Sequence, residues 1–365
     1  MDKKELLFAL ALKRIPGVGD ITAKKLIAYF GSAEAVFTSN ASKWEGLNSV
    51  KGFLQKEISK TLYLKEAEAE LAFIAEQELK VFYYKDEAYP ENLKHCIDAP
   101  FLFFGKGNLN FNKPRIISIV GTRKASWRAK EFCQNLVADL VPYKPLIVSG
   151  FAYGVDICAH QAAIENNLPT IACLAHGFKQ LYPAAHKKYE AEMLYAGGFV
   201  SDFCSDAVFD RKNFLRRNRI IAGLSQATLV IESANKGGSL VTATIANSYN
   251  REVFAVPGHP TEILSEGCNN LIKTQQANLL TSVKDLVYML NWDVEKNINK
   301  QPVLFPTLSE KEQIIVDAIQ KLGKALLDEL ALETQIPTYN LVGELLNLEL
   351  KGVVKPLPGK KYELT

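Results

Sequence analysis

An α/β fold built on a doubly wound parallel sheet is predicted by three observations. From Arg115 onward, short runs rich in β-branched residues (RIISIVG, PLIVSG, TIACLA, GFVSDF, ATLVIES, EVFAVPG) alternate with stretches of helical periodicity. The runs are nearly continuous in apolar residues, as expected of parallel strands covered by helices on both faces. Several of them end in glycine or small-residue turns, where such a sheet opens its ligand crevice.

Taken in order, residues 1–80 read as helices, with apolar positions at helical spacing in ELLFALALKRI, ITAKKLIAYF and YLKEAEAELAFIAEQ. Between the first two lies IPGVG, the hydrophobic-Pro-Gly-hydrophobic-Gly turn of a helix-hairpin-helix, a SAM-like arrangement. Gly17 and Gly19 there let backbone N–H groups approach a phosphate, which makes them candidate backbone contacts. Residues 81–292 carry the sheet, beginning with two further short strands in VFYYKD and PFLFFGKG. Residues 293–306 are polar and then proline-flanked, as expected of a linker. Residues 307–365 read as three helices and a two-stranded wing, a winged helix, with Ser309 and Glu312 forming a capping box. Its third helix carries few basic residues, so DNA and protein contacts both stay open for it.

Composition narrows the function. A formal net charge of +3 means that any anion is held by a local cluster and not by a globally basic surface. The six cysteines are scattered without metal-ligand or redox spacing, which predicts buried thiols in a reducing compartment and no metal site. The apolar stretch near the N-terminus is too short and too interrupted by Lys13 and Arg14 for a signal peptide. No later stretch reaches the roughly 18 apolar residues of a membrane span, so a cytoplasmic protein is expected.

The most informative segment is RKNFLRRNR, Arg211 to Arg219, five basic side chains around Phe214 with no acidic residue until Glu232. A solvated helix would interleave acidic residues at spacings of three and four, so the charge calls for an anion from outside. Lys212, Arg216 and Arg219 fall on one helical stripe, expected to face outward or into a cleft. Three strand-end turns (Gly121 to Ser126, Ser149 to Asp156, Glu232 to Ala243) point backbone N–H groups toward the same sheet edge. They add Lys124, Ser149, Gly150, Lys236 and Gly238 to the candidate nucleic-acid ligands. None has the glycine spacing of a dinucleotide site or a P-loop, and no cofactor is implied. Asp156 and His160, four apart on an apolar helix, are expected to be a buried hydrogen-bonded pair.

The stretches SIVGTRKAS, SGFAYGVDICAH, the YP of GFKQLYPAAH, FLRRNRIIAGLS, and ESANKGGSLVTATIANSYNREVFAVPG with GCNNLI make this chain resemble the DprA (Smf-type) family over almost its full length. The resemblance implies an extended Rossmann-like sheet flanked by the helical domain and the winged helix. It also implies a non-enzymatic, sequence-tolerant single-stranded DNA-binding mediator that protects incoming DNA in natural transformation. Its implied partners are the RecA recombinase, a second copy of the chain in a homodimer, and a single-strand-binding protein. By motif, the phosphate ligands would be Arg123, Arg217, Asn218, Arg219, Gly237 and Ser239, with Arg211 and Lys212 just upstream and Phe214 stacking a base. This chain departs from the family pattern at Trp127 and Arg128, at Tyr153 where an arginine is usual, and at Asp202 where a glutamate is expected. The competing reading is a nucleotide hydrolase resembling the cytokinin-activating phosphoribohydrolases. GGSLVTA lacks the glycine-threonine and following glutamate which that active site needs.

Overall fold

The six β-branched runs become strands of one nine-stranded sheet: β1 (Lys80–Tyr83), β2 (Leu102–Lys106), β3 (Ile116–Val120), β4 (Leu146–Ser149), β5 (Thr170–Cys173), β6 (Gly197–Ser201), β7 (Ala227–Val230), β8 (Glu252–Ala255) and β9 (Asn278–Leu279). The computed structural model describes residues 1–40, 44, 57–58, 61–292, 308–357 and 361–364, so the expected linker at 293–306 lies outside the described residues. The order is β1-β2-β6-β5-β4-β3-β7-β8-β9. β3 to β9 run parallel, and β1 and β2 add an antiparallel edge. Both faces are covered. Ile116 and Val120 pack into one apolar layer, Ile117 and Ile119 into the other, which is why the strands read as unbroken apolar runs.

Among the described residues, the complete helices before the sheet are α1 (Lys3–Arg14), α2 (Asp20–Phe30), α3 (Ala33–Thr38) and α4 (Leu62–Glu76). Their buried face, including Leu10, Leu12 and Ile27, shares one core with Phe101, Leu102 and Phe104 at the antiparallel edge. Arg14 ties α4 to a distant loop, pairing with Glu70 at 2.9 Å and Asp206 at 2.8 Å. Met1–Val294 accordingly forms one compact unit.

Glu295–Thr365 forms a second unit with its own core around Ile315, Ile319, Leu330, Leu341 and Leu345. The longer helices of the sheet region are α5 (Trp127–Asp139), α6 (Val155–Glu165), α7 (Arg211–Leu224) and α8 (Gly238–Ser248), and those of the second unit are α9 (Glu310–Leu322), α10 (Leu327–Thr334) and α11 (Thr338–Leu350). Ser309 caps α9 reciprocally with Glu312, as the sequence predicts. The wing is β11 (Val354–Leu357) against β12 (Lys361–Leu364), joined on the other side of β12 by β10 (Ala325–Leu326). Among the described residues no helix is long and apolar enough to cross a membrane.

Candidate nucleic-acid interface

After β3 the chain adds β4, β5 and β6 on one side, then crosses back to lay β7, β8 and β9 on the other. The order therefore reverses between β3 and β7, the position where open α/β sheets bind ligands beyond the strand ends. A cavity of about 480 Å³ opens there. Its walls come from the loop after β3, the start of α6 (Val155–Glu165), one side of α7 (Arg211–Leu224) that includes the buried Arg217 and Asn218, and the start of α8 (Gly238–Ser248); α5 (Trp127–Asp139) follows the first loop.

The loop after β3 is pinned at both ends. Thr122 N–H donates to Glu232 O at 2.8 Å, its carbonyl accepts from Val155 N at 3.2 Å, and Ser126 is held by the Glu232 carboxylate at 2.7 and 2.8 Å. Between these anchors Arg123 is exposed, its guanidinium 4.9 Å from the centre of the Phe214 ring. Across the cavity, α8 starts at Gly237 without a side-chain cap, and a Cβ at Gly238 would meet open space. The helix therefore presents its first N–H groups to the crevice, where an anion is favoured. Ser239 is less available: its hydroxyl donates to Ser233 Oγ at 2.9 Å.

On α7, Arg211 and Lys212 are exposed beyond the Asp210 cap, and Arg211 lines the cavity. Arg217 lines it too but is only 3% exposed; its Nη1 donates to Cys173 O at 2.7 Å and its buried Nε has no hydrogen-bond partner among the described residues. Burial lowers its pKa, against the pull of Asp156. Asp156 sits in the same lining, buried, accepting from Ala152 N at 3.3 Å; desolvation raises its carboxyl above the ordinary value, with Arg217 opposing. Arg123, Arg211, Arg217, Asn218, Phe214 and the Gly237–Ser239 turn thus share one cavity.

Other candidates sit elsewhere. Arg219 corrects the expectation of an outward stripe without internal counter-ions. Its guanidinium is buried between Asp20, at 2.8 Å, and Asp202, and also donates to the Asp98 carbonyl. Burial opposes its charge, but the two carboxylates outweigh it and raise its pKa. Ser149 is fully buried, its hydroxyl donating to Ile119 O at 2.5 Å. Gly150 makes room for a side chain, since a Cβ there would collide with the Arg217 guanidinium. Lys124 and Lys236 are exposed on the crevice loops without lining the cavity. Gly17, at φ +80°, and Gly19, the N-cap of α2, shape an exposed turn whose helix begins with its own carboxylate, Asp20. Asp156 and His160 are both buried but not paired with each other: His160 Nδ1 meets Thr170 Oγ1 at 2.7 Å. Sequence reading placed the turn ending at Asp156 by the crevice but missed that its carboxylate lies in the lining beside Arg217, and also missed Phe209, whose ring packs 5.6 Å from Phe214.

Residues 80–291 match the family described as DNA recombination-mediator protein A. The chain belongs to that family. Residues 300–360 match the DprA winged helix domain. Protein Smf of Escherichia coli is 33% identical over 81% of this chain and 80% of its own. DNA processing protein DprA of Streptococcus pneumoniae is 36% identical over 58% of this chain and 74% of its own. The solved DprA structure from Streptococcus pneumoniae superposes with a TM-score of 0.64 at 28% identity, covering 79% of this chain and 98% of that one. DprA from Helicobacter pylori, solved for its single-stranded DNA binding mode, gives 0.53 at 26% identity, covering 59% and 97%.

Proposed function

We propose that this DprA-family protein is a single-stranded DNA-binding recombination mediator, which grips the strand by its phosphates and hands it to a RecA-type recombinase during natural transformation. One observation carries the reading: Arg123, Arg211, Arg217 and the uncapped start of α8 converge on a single crevice at the strand-order reversal. Cations and helix N–H groups suit phosphate oxygens, and neither distinguishes one base from another. No bond need break in this role, and the strand would be held and released intact.

In this reading the DNA lies on residues 81–292, residues 1–80 and 307–365 are flanking modules, and the segment 293–306 joins them. The protein would act in the cytoplasm as a homodimer, on strands otherwise coated by a single-strand-binding protein. Fluorescence anisotropy with labelled oligothymidine is expected to show saturable binding at moderate salt. Strand exchange by a recombinase on coated DNA is expected to speed up when the protein is added. Absence of oligonucleotide binding overturns the whole reading; binding without stimulated strand exchange overturns only the mediator role.

A further inference from the structure

Phosphate contacts alone do not separate a single strand from a duplex, because both present phosphates. Rings packed on Phe214, a crevice-lining residue, can do so. Tyr182 and Phe209 are 40% and 42% exposed, although large aromatic rings normally gain by burial. Their ring centres lie 4.9 Å apart, and both lean on Phe214, at 6.0 and 5.6 Å. Phe214 is the inner ring, with the Arg123 guanidinium over it, so the outer pair carries the accessible ring surface.

A second cavity, about 570 Å³, lies against Phe209 and is lined by Arg211 and Arg216 together with the helix-capping carboxylate of Asp210. Arg211 lines this cavity and the crevice alike, while Phe209 borders one and Phe214 the other. Two hollows in which arginines outnumber carboxylates, bordered by neighbouring aromatic rings, match a polyanion whose flat, unpaired bases need somewhere to stack. Charge complementarity thus selects a nucleic-acid strand, and the exposed rings select one whose bases are free.

Resting on the phosphate reading above, we infer that Tyr182 and Phe209 form a base-stacking ridge, and that this ridge confers preference for unpaired strands. Phe214, expected from sequence to stack a base, lines the crevice and also packs behind the ridge. Each base stacked adds roughly tenfold or more to affinity. The test compares oligothymidine with an abasic oligomer of equal length, which keeps the phosphates and removes the bases. Wild-type protein is expected to bind the abasic strand at least about tenfold more weakly. The variant Tyr182→Ala with Phe209→Ala should bind both strands equally, at the wild-type abasic affinity, with unchanged salt dependence. Equal wild-type affinity for the two strands overturns the inference whatever the variant does, and so does a folded variant that still prefers thymidine. Failure of wild-type protein to bind either strand overturns the phosphate reading itself. Phe209→Leu, which keeps apolar bulk without a ring, should lose the preference even if the double variant misfolds; retention of the preference overturns the ridge.

Discussion

Arg217 and Arg219 stand two positions apart on α7, and their surroundings assign them different work. Arg219 is clasped by Asp20 and Asp202 in a mostly buried site, so removing it leaves the buried Asp202 carboxylate without its cation, while Asp20 keeps Phe101 N–H and the more distant Lys13. Arg219→Ala is expected to destabilise the fold by about 3–5 kcal/mol in a urea melt. A melt within error of wild type would contradict that assignment. The counter-ions lie 199 and 17 residues away in sequence, which is why a local reading of RKNFLRRNR found none. Asp156 gives the opposite case of a charge in an anion site. Its folded pKa is raised above the ordinary 3.8, so the stability linked to its proton is complete below that value and lost as pH rises through the folded one. Falling pH therefore neutralises Asp156 early and leaves the crevice more positive. His160 does not blur the effect near neutrality, because burial holds its pKa at about 3. Single-strand affinity should rise as pH falls through the raised folded value of Asp156, and Asp156→Asn should bind more tightly above that value with a flatter profile by anisotropy. An unchanged profile in that variant would remove Asp156 from the site.

Among the elements, the parallel strands were legible because burial on both faces leaves unbroken apolar runs, whereas β9 was not, since two residues carry no period. The capping box of α9 was legible because both partners lie within one turn. What spacing could not tell was the rotation of α7. Its buried face includes Arg217 and Asn218 along with Ile220 and Ile221, because Gly150 leaves space for the guanidinium. In the C-terminal unit, α11 exposes Tyr339, Val342, Leu346 and Leu350 along one side, carries Glu344 and Glu349, and has no basic residue. A helix of that composition lacks the phosphate partners needed to sit in a DNA groove. Removing Glu295–Thr365 should leave single-strand affinity within about twofold of wild type, because every crevice residue lies in the other unit and no phosphate contact is lost. A larger loss, measured by anisotropy on a truncated protein with a cooperative melt, would place part of the DNA site in the C-terminal unit.

Across the whole molecule the formal charge is only +3, so long-range attraction contributes little and the grip on a strand must come from the few cations gathered at the crevice. Each phosphate neutralised releases counter-ions, and for a single strand the logarithm of affinity falls by about 0.7 per contact for each logarithmic unit of salt. Four to six contacts would give a slope of about −3 to −4. Arg123 and Arg211 are exposed and have no carboxylate partner among the described ion pairs, so replacing both should remove their contacts without disturbing the core. Arg123→Ala with Arg211→Ala is therefore expected to shallow the slope by about 1.4. Arg219→Ala, whose charge is neutralised internally, should leave the slope where it was in whatever fraction remains folded. Titrating potassium chloride against oligothymidine binding for the three proteins reads both effects together. A double variant with the wild-type slope would mean that the phosphates lie elsewhere, and a shallower slope for Arg219→Ala would mean that its ion pairs open to admit the strand.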